Sequence, residues 1–410
     1  MAIRKKGDLA AVATVPLIMT LGNSMLIPVL PSFQSKLGIT ALQSSLVITV
    51  YSVVAIVFIP LAGYLSDRFG RKAVIIPSLA LAGLGGLVSG LAVWLLQNGS
   101  AYVPLLAGRL IQGIGAAGAF PIAIPLIGDM FEQEDEVSKG LGLVETANTF
   151  GKVLSPILGS LLAAWYLYAP LLSVPLLCAA SVIMVWLMVK VPKDKGGRRE
   201  KPPAFRTFVR EVMSLFREKG RWVYAVFALG AIGMFALFAM LVHLSDVLEH
   251  SYRFDGVLKG LLLAIPLSAL CLMSSVTGKI IGGNKQRMKY MALTGLIVAS
   301  GSLLLMAWFM SKPLWALLAA ASAAGIGIGS ALPCLDAFIT EGIDKAQRGT
   351  VSAFYGSMRF VGVAAGPPFA AALSGRPSVL YTALAACVAA GVILIMICIR
   401  PRQALREAAA

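Results

Sequence analysis

Apolar residues along this chain come in long unbroken blocks. No ionisable residue, tyrosine and cysteine aside, interrupts Leu9–Ser35, Leu37–Ser66, Ala73–Gly108, Tyr290–Ser311 or Pro377–Ile399. Crossing about 30 Å of hydrocarbon at 1.5 Å per residue takes roughly 20 mostly apolar residues, so each block can span a bilayer as a helix. Proline and glycine inside the blocks do not exclude helix, because neighbouring helices can satisfy the freed backbone groups. The pattern predicts twelve spans, near 9–32, 43–66, 73–96, 102–128, 139–166, 170–190, 223–247, 257–281, 289–310, 314–340, 349–373 and 378–399.

Composition agrees with a membrane setting. Hydrophobic residues make up 58% and charged residues 13%, about half the charge of an ordinary soluble domain. That is too little to coat a water-facing surface, so lipid must cover much of it. The run after Arg4-Lys5-Lys6 is too long for a signal peptide and reads as the first permanent span. Cys178, Cys271, Cys334, Cys387 and Cys398 all fall inside predicted spans without metal-ligand spacing and read as small packing residues.

The net charge of +16 changes the picture only through its placement. With both termini on one side, the segments there carry about 27 of the 35 Lys and Arg. The opposite loops hold Lys36, Arg253, Lys259, Lys312 and Arg376, and three more cations lie within spans. This asymmetry predicts cytoplasmic termini in an inner (plasma) membrane, with anionic lipid rather than nucleic acid as the basic face's partner. The densest basic stretch, Lys190 to Arg221, contains an amphipathic pattern over 205–216 and reads as a linker lying on the inner face.

A repeat organises the spans. Gln112-Gly-Ile-Gly-Ala-Ala-Gly-Ala-Phe-Pro121 in span four matches Ala324-Gly-Ile-Gly-Ile-Gly-Ser-Ala-Leu-Pro333 in span ten at an offset of 212. It pairs Gly113 with Gly325, Gly115 with Gly327, Pro121 with Pro333, and Asp129 with Glu341. Gly151-Lys-Val-Leu-Ser-Pro156 in span five matches Gly362-Val-Ala-Ala-Gly-Pro367 in span eleven at 211, and Gly63 pairs with Gly278 at 215. A duplicated six-span unit follows. The expected fold is all-α, with a bundle over 1–190, the linker over 191–222, and a second bundle with a short tail over 223–410. Two such bundles imply a midplane cavity exposed to each side in turn.

The loop after span two, Gly63-Tyr-Leu-Ser-Asp67-Arg68-Phe-Gly70-Arg71-Lys72, resembles the signature loop of the major facilitator superfamily. Gly63 is expected at a close helix approach and Gly70 at a tight turn. The resemblance implies a conformational latch in which Asp67 and Arg71, with Arg68 beside them and Asp129 as a further partner, hold the outward-open state. In the second half Gly282 stands where Asp67 would align, so one latch is expected rather than two. Three stretches resemble motifs of the twelve-span drug:proton antiporters. They are Leu21-Gly-Asn-Ser-Met-Leu-Ile-Pro28-Val-Leu-Pro31, Leu106-Ala-Gly-Arg109-Leu-Ile-Gln112-Gly113-Ile-Gly115, and Gly151-Lys-Val-Leu-Ser-Pro156-Ile-Leu-Gly159. In the last, Ser155 replaces the usual glycine, while span eleven carries the fuller Gly366-Pro367. The resemblance associates Arg109 with proton coupling. Although Gly113 to Gly118 fits a dinucleotide-binding GxGxxG, it lies within an apolar span and is read as helix packing.

A Lys, Arg or Asp at mid-span costs roughly 2.5–3.5 kcal/mol, so each asks for a reason. The deep candidates are Arg109, Glu145, Lys152, Asp336 and Arg359. Glu145, Asn148 and Lys152 share one helix face by their spacing. The repeat aligns Arg359 with Asn148, which predicts a cation facing the same cavity. Glu145 is the first choice for proton carrier and Asp336 the second; a structural ion pair of Glu145 with Lys152 or Arg109, and a gate role for Asp336, remain open. Asn23, Gln112, Met234, Phe235 and Phe238 complete the expected cavity lining. Span one has no acid in its membrane part, which argues against cationic drugs. Three deep cations would also suit an anionic or zwitterionic substrate. His243 and Asp246 read as a wetted helix end or a proton entry point.

These features predict a secondary transporter, not an enzyme. It would be monomeric, need no cofactor, and draw on a proton gradient to export lipophilic or amphipathic small molecules, as in multidrug efflux. The alternative on the same scaffold is a dedicated exporter of one metabolite, sugar, siderophore or lipid. An enzyme would need a nucleophile–base pair or metal ligands, and the chain offers only His243 and His250, both near an outer surface. No GxxxxGK[ST] loop occurs, so ATP is not the energy source.

Overall fold

A computed structural model describes residues 2–96, 98–131, 134–189, 220–282, 284–309, 313–343 and 345–399. The predicted amphipathic linker helix over 205–216 lies outside the described residues. Every regular element among them is helical, and no strand occurs. The α-helices are α1 (Ala2–Ser24), α2 (Leu30–Leu37), α3 (Ala41–Phe69), α4 (Arg71–Leu95), α5 (Tyr102–Ala119), α6 (Ala123–Met130), α7 (Glu134–Trp165) and α8 (Ala169–Met188). They continue as α9 (Arg221–His250), α10 (Gly256–Ile281), α11 (Lys285–Phe309), α12 (Leu314–Gly342), α13 (Lys345–Ala372) and α14 (Pro377–Cys398).

By length and apolar content, 10 stretches among the described residues can cross a membrane: Gly7–Leu37, Ala41–Phe69, Arg71–Leu95, Gly99–Met130, Ala169–Met188, Arg221–His250, Gly256–Ile281, Lys285–Trp308, Leu314–Gly342 and Pro377–Cys398. Predicted spans five and eleven correspond to α7 and α13, helices of 32 and 28 residues that carry charged side chains along their length. Large apolar side chains such as Leu176, Trp308 and Trp315 stand exposed, as lipid contact requires and water would not favour.

The chain divides into two compact units, residues 1–211 and 212–410. In the first, α1 packs on α7 and α8, α4 on α5 and α8, and α3 on α5. In the second, α9 packs on α13 and α14, α11 on α12 and α14, and α10 on α12. The two packing schemes match helix for helix, as expected of a duplicated unit.

Glycine makes the closest of these contacts. A Cβ on Gly115 would lie 2.8 Å from Ala82 Cα in α4, and one on Gly327 would lie 2.8 Å from Ala299 Cβ in α11. Backbones approach here only because no side chain intervenes.

Two predicted spans are not single helices. Span one breaks after Ser24, runs through a 3-10 turn at Ile27–Val29, and resumes as α2. Span four breaks between Ala119 and Ala123. Pro28 and Pro121 lack the N–H that a continuing helix would use, and each stands at its break. Proline alone does not decide the matter, since Pro333 lies inside the unbroken α12. Thr40 starts α3 with a capping box, accepting from the Gln43 N–H at 3.2 Å while Gln43 Oε1 accepts from the Thr40 N–H at 2.9 Å.

Candidate functional site

In the first unit the polar interior centres on Arg109, which is fully buried. Its Nε donates to the Val47 carbonyl at 2.8 Å, and its Nη1 donates to the Gly22 carbonyl at 3.1 Å and to Gln112 Oε1 at 2.6 Å. Nη2 donates to Asn23 Oδ1 at 2.7 Å, and the guanidinium lies 4.6 Å over the Tyr51 ring. Gln112 adds a second bond to Gly22, donating from Nε2 at 3.3 Å. Gly22 is two residues from the end of α1, where the helix break leaves its carbonyl free to turn to span four. Asn23, Arg109 and Gln112 are thus brought together, with two carbonyls and one aromatic ring that sequence reasoning missed. Backbone acceptors carry no residue-type signal.

On α7, Glu145 accepts from Asn148 Nδ2 at 3.2 Å through Oε1 and 3.4 Å through Oε2. Thr149 Oγ1 also donates to it at 3.4 Å. Asn148 Oδ1 in turn accepts from Thr20 Oγ1 of α1 at 2.7 Å. Asn148 is buried, Lys152 half-buried and Glu145 exposed. The pairing of Glu145 with Arg109 that the sequence left open does not form, because every contact of Arg109 among the described residues is to a neutral group.

The helix-packing residues of span five meet span one. A Cβ on Gly151 would lie 3.2 Å from Thr20 Cβ, and one on Gly159 would lie 3.0 Å from Met25 Cα. Gly113 faces Tyr51 in the same manner, 3.1 Å from its Cα. Pro156 lies inside α7, where it has no N–H to offer the Lys152 carbonyl as a donor. Ser155, the departure from the family pattern, supplies one: its hydroxyl lies 2.5 Å from the Gly151 carbonyl and 3.3 Å from that of Lys152.

The loop between α3 and α4 gathers its charges. Arg71 Nη1 is 2.5 Å from Asp67 Oδ1 and donates to Ser66 Oγ at 2.6 Å, while Arg71 Nε is 3.4 Å from Asp129 Oδ2. Gly70 joins the helices at φ 99°, a backbone that L side chains resist. Lys72 caps α8, donating to the carbonyls of Trp186 at 2.9 Å and Val189 at 2.7 Å. Arg68 stays exposed over Phe69. Gly63 corrects an expectation: a Cβ there would meet nothing within 4 Å, so it marks no close helix approach.

In the second unit Arg359 Nη1 is 3.2 Å from Asp336 Oδ1, an ion pair between α13 and α12 that is partly open to solvent. Arg359 also lies 5.7 Å over the Tyr355 ring. Met234 and Phe238 are buried, and Phe235 packs half-buried against Phe369 at 5.1 Å between centroids. A Cβ on Gly366 would lie 2.9 Å from the Phe235 carbonyl, with Pro367 next in the same helix. His243 is not a wetted helix end: it is 3% exposed, with Nδ1 3.1 Å from Tyr381 Oη. Lys259, expected in an outer loop, is likewise buried in α10 and pairs with Glu249. An ion pair lets that ammonium leave water.

The sequence profile of the Major Facilitator Superfamily matches residues 12–367, and again 286–409. The chain belongs to the Major Facilitator Superfamily. This superfamily member is 50% identical over 402 residues to the bacillibactin exporter of Bacillus subtilis (strain 168), covering 98% of each chain. It is 26% identical over 389 residues to the class C tetracycline resistance protein of Escherichia coli, covering 91% of each. Among solved structures, a D-xylose–proton symporter superposes with a TM-score of 0.77 at 14% identity, over 97% of this chain and 98% of that one. The human organic anion transporter MFSD10 (TETRAN) gives 0.70 at 17% identity, over 95% and 99%. At such identities the likeness is one of fold alone. This superfamily member is a multi-pass membrane transporter rather than an enzyme.

Proposed function

We propose that this transporter exports a dedicated small molecule of the siderophore class, chemically akin to bacillibactin, by alternating access in exchange for protons. The observation that carries the reading is the 50% identity to a bacillibactin exporter along 98% of both chains. The polar interior supports it, because its deepest charge is a cation and span one carries no acid beyond Asp8 at its start to receive a cationic drug. Glu145 serves as the proton carrier, held by Asn148 and Thr149, and the Asp67–Arg71–Asp129 cluster acts as a latch at the cytoplasmic end. A broader multidrug reading is favoured only by the 26% identity to a tetracycline resistance protein.

One proton moving inward across 100 mV supplies about 2.3 kcal/mol, enough to hold a concentration ratio of roughly 40. The test is uptake of bacillibactin into inverted vesicles or proteoliposomes under an imposed pH gradient, with tetracycline and cationic dyes in parallel. Uptake of bacillibactin alone supports the dedicated reading; uptake of the drugs at equal rates replaces it with the multidrug one. Glu145→Gln is expected to abolish gradient-driven uptake while substrate binding survives. Normal uptake by that variant removes Glu145 from the coupling.

A further inference from the structure

Arg109 is a charge that its surroundings dissolve but do not cancel. An arginine stays protonated in a protein interior, and this one is 0% exposed. Among the described residues, the groups that hold it are the Gly22 and Val47 carbonyls, Gln112 Oε1, Asn23 Oδ1 and the Tyr51 ring, and all are neutral. The other deep arginine, Arg359, has a carboxylate 3.2 Å away in Asp336. A buried cation is ordinarily matched by an anion in the protein, because its unshielded field is costly in a medium of low polarity. Asn23 occupies the position from which a carboxylate would provide that match, with its side-chain oxygen 2.7 Å from Nη2.

We propose that Asn23 determines the sign of charge this transporter accepts. By solvating Arg109 without neutralising it, Asn23 leaves a fixed positive field through the first unit that admits anionic solutes and rejects cationic ones. Asn23 and Arg109 are specificity residues acting through their field; no contact with the solute is required. At a separation of roughly 10 Å and an effective dielectric near 20, one unit charge alters the affinity of another by more than about tenfold. An anion gains that factor and a cation of the same shape loses it. The inference rests on the transport reading above and supplies its substrate class, an anionic amphipathic molecule.

The test compares two dyes built on one xanthene core, one a net sulfonate anion and the other a net cation, for binding to the purified full-length protein in detergent. The wild type is expected to bind the anion at least tenfold more tightly. Asn23→Asp places a carboxylate on Arg109 and is expected to erase or invert that preference. Gln112→Glu does the same from span four, 2.6 Å from Nη1 in the wild type, and serves if the first variant does not fold. Wild-type protein that binds both dyes alike, or neither, overturns the inference. So does a folded, monodisperse Asn23→Asp or Gln112→Glu protein that keeps the full preference. Bacillibactin transport measured alongside separates the two readings. Transport without dye discrimination leaves siderophore export standing and removes the charge filter; discrimination lost in the variants without bacillibactin transport does the reverse.

Discussion

The two units share a packing scheme and differ in how they treat charge. At the position where the first unit buries Arg109, the offset of 212 brings Ala321 in the second, and at Gln112 it brings Ala324; both alanines are fully buried. The second unit keeps charges in ion pairs instead, Arg359 with Asp336 partly open to solvent and the buried Lys259 with Glu249. Duplication therefore preserved the glycines that set helix spacing, Gly113 with Gly325 and Gly115 with Gly327, and released the polar positions. Packing is a constraint on every copy of the bundle, whereas a buried cation is tolerated only where acceptors are built around it. One half holds its buried cation among neutral acceptors, and the other pairs its buried Lys259 with a carboxylate.

The largest effect should fall on what the units share. Gly115→Leu and Gly327→Leu each drive a side chain into a neighbouring helix backbone, at a cost of more than about 4 kcal/mol. Both are expected to remove monodisperse protein from size-exclusion profiles to a similar degree. A strong effect in one half only would break the symmetry of the packing.

Arg109→Met should reduce transport by more than about 100-fold, since it removes the charge and leaves buried acceptors unpaired at about 1–3 kcal/mol each. The reciprocal change, Ala321→Arg, introduces a cation where no cage exists and is expected to abolish folding. A well-folded Ala321→Arg protein would show that the second unit can solvate the charge after all.

The Arg359–Asp336 pair offers a smaller and different signal. A double-mutant cycle of Arg359→Gln and Asp336→Asn should give a coupling of about 0.5–1 kcal/mol in thermal stability, as for a partly solvated pair. Coupling near zero would mean the pair contributes nothing to the fold.

Ser155→Gly gives the first unit the residue that the second has at Gly366. It removes the hydroxyl that serves the Gly151 and Lys152 carbonyls and should cost about 1–2 kcal/mol, read as a fall in melting temperature. An unchanged melting temperature would make Ser155 an incidental replacement.

Much was legible in the sequence because each signal was carried by residue type over long stretches. The blocks Leu37–Ser66 and Pro377–Ile399 announced membrane helices, since an apolar run of that length has few other solvents. The pairing of Pro121 with Pro333 and Gly151 with Gly362 announced the duplication. Asp67, Arg71 and Asp129 are conspicuous in the sequence, because charges at a span end stand out against apolar neighbours. Arg109, Asn23 and Gln112 are each conspicuous as polar residues in apolar spans, but nothing in their order says that they touch. Gly63 and His243 misled because exposure and helix contact depend on neighbours that no local pattern encodes.

By itself, then, the sequence determined the solvent, the helical class, the repeat and the residues whose charge needs explaining, all of which follow from how expensive a polar group is in hydrocarbon. The tertiary structure alone decided how those charges are held. The break of span one after Ser24 frees the Gly22 carbonyl, and span two brings the Val47 carbonyl and the Tyr51 ring to the same guanidinium. Backbone acceptors look alike at every position of a chain, so only their arrangement in space can turn an arginine into a buried, unneutralised charge.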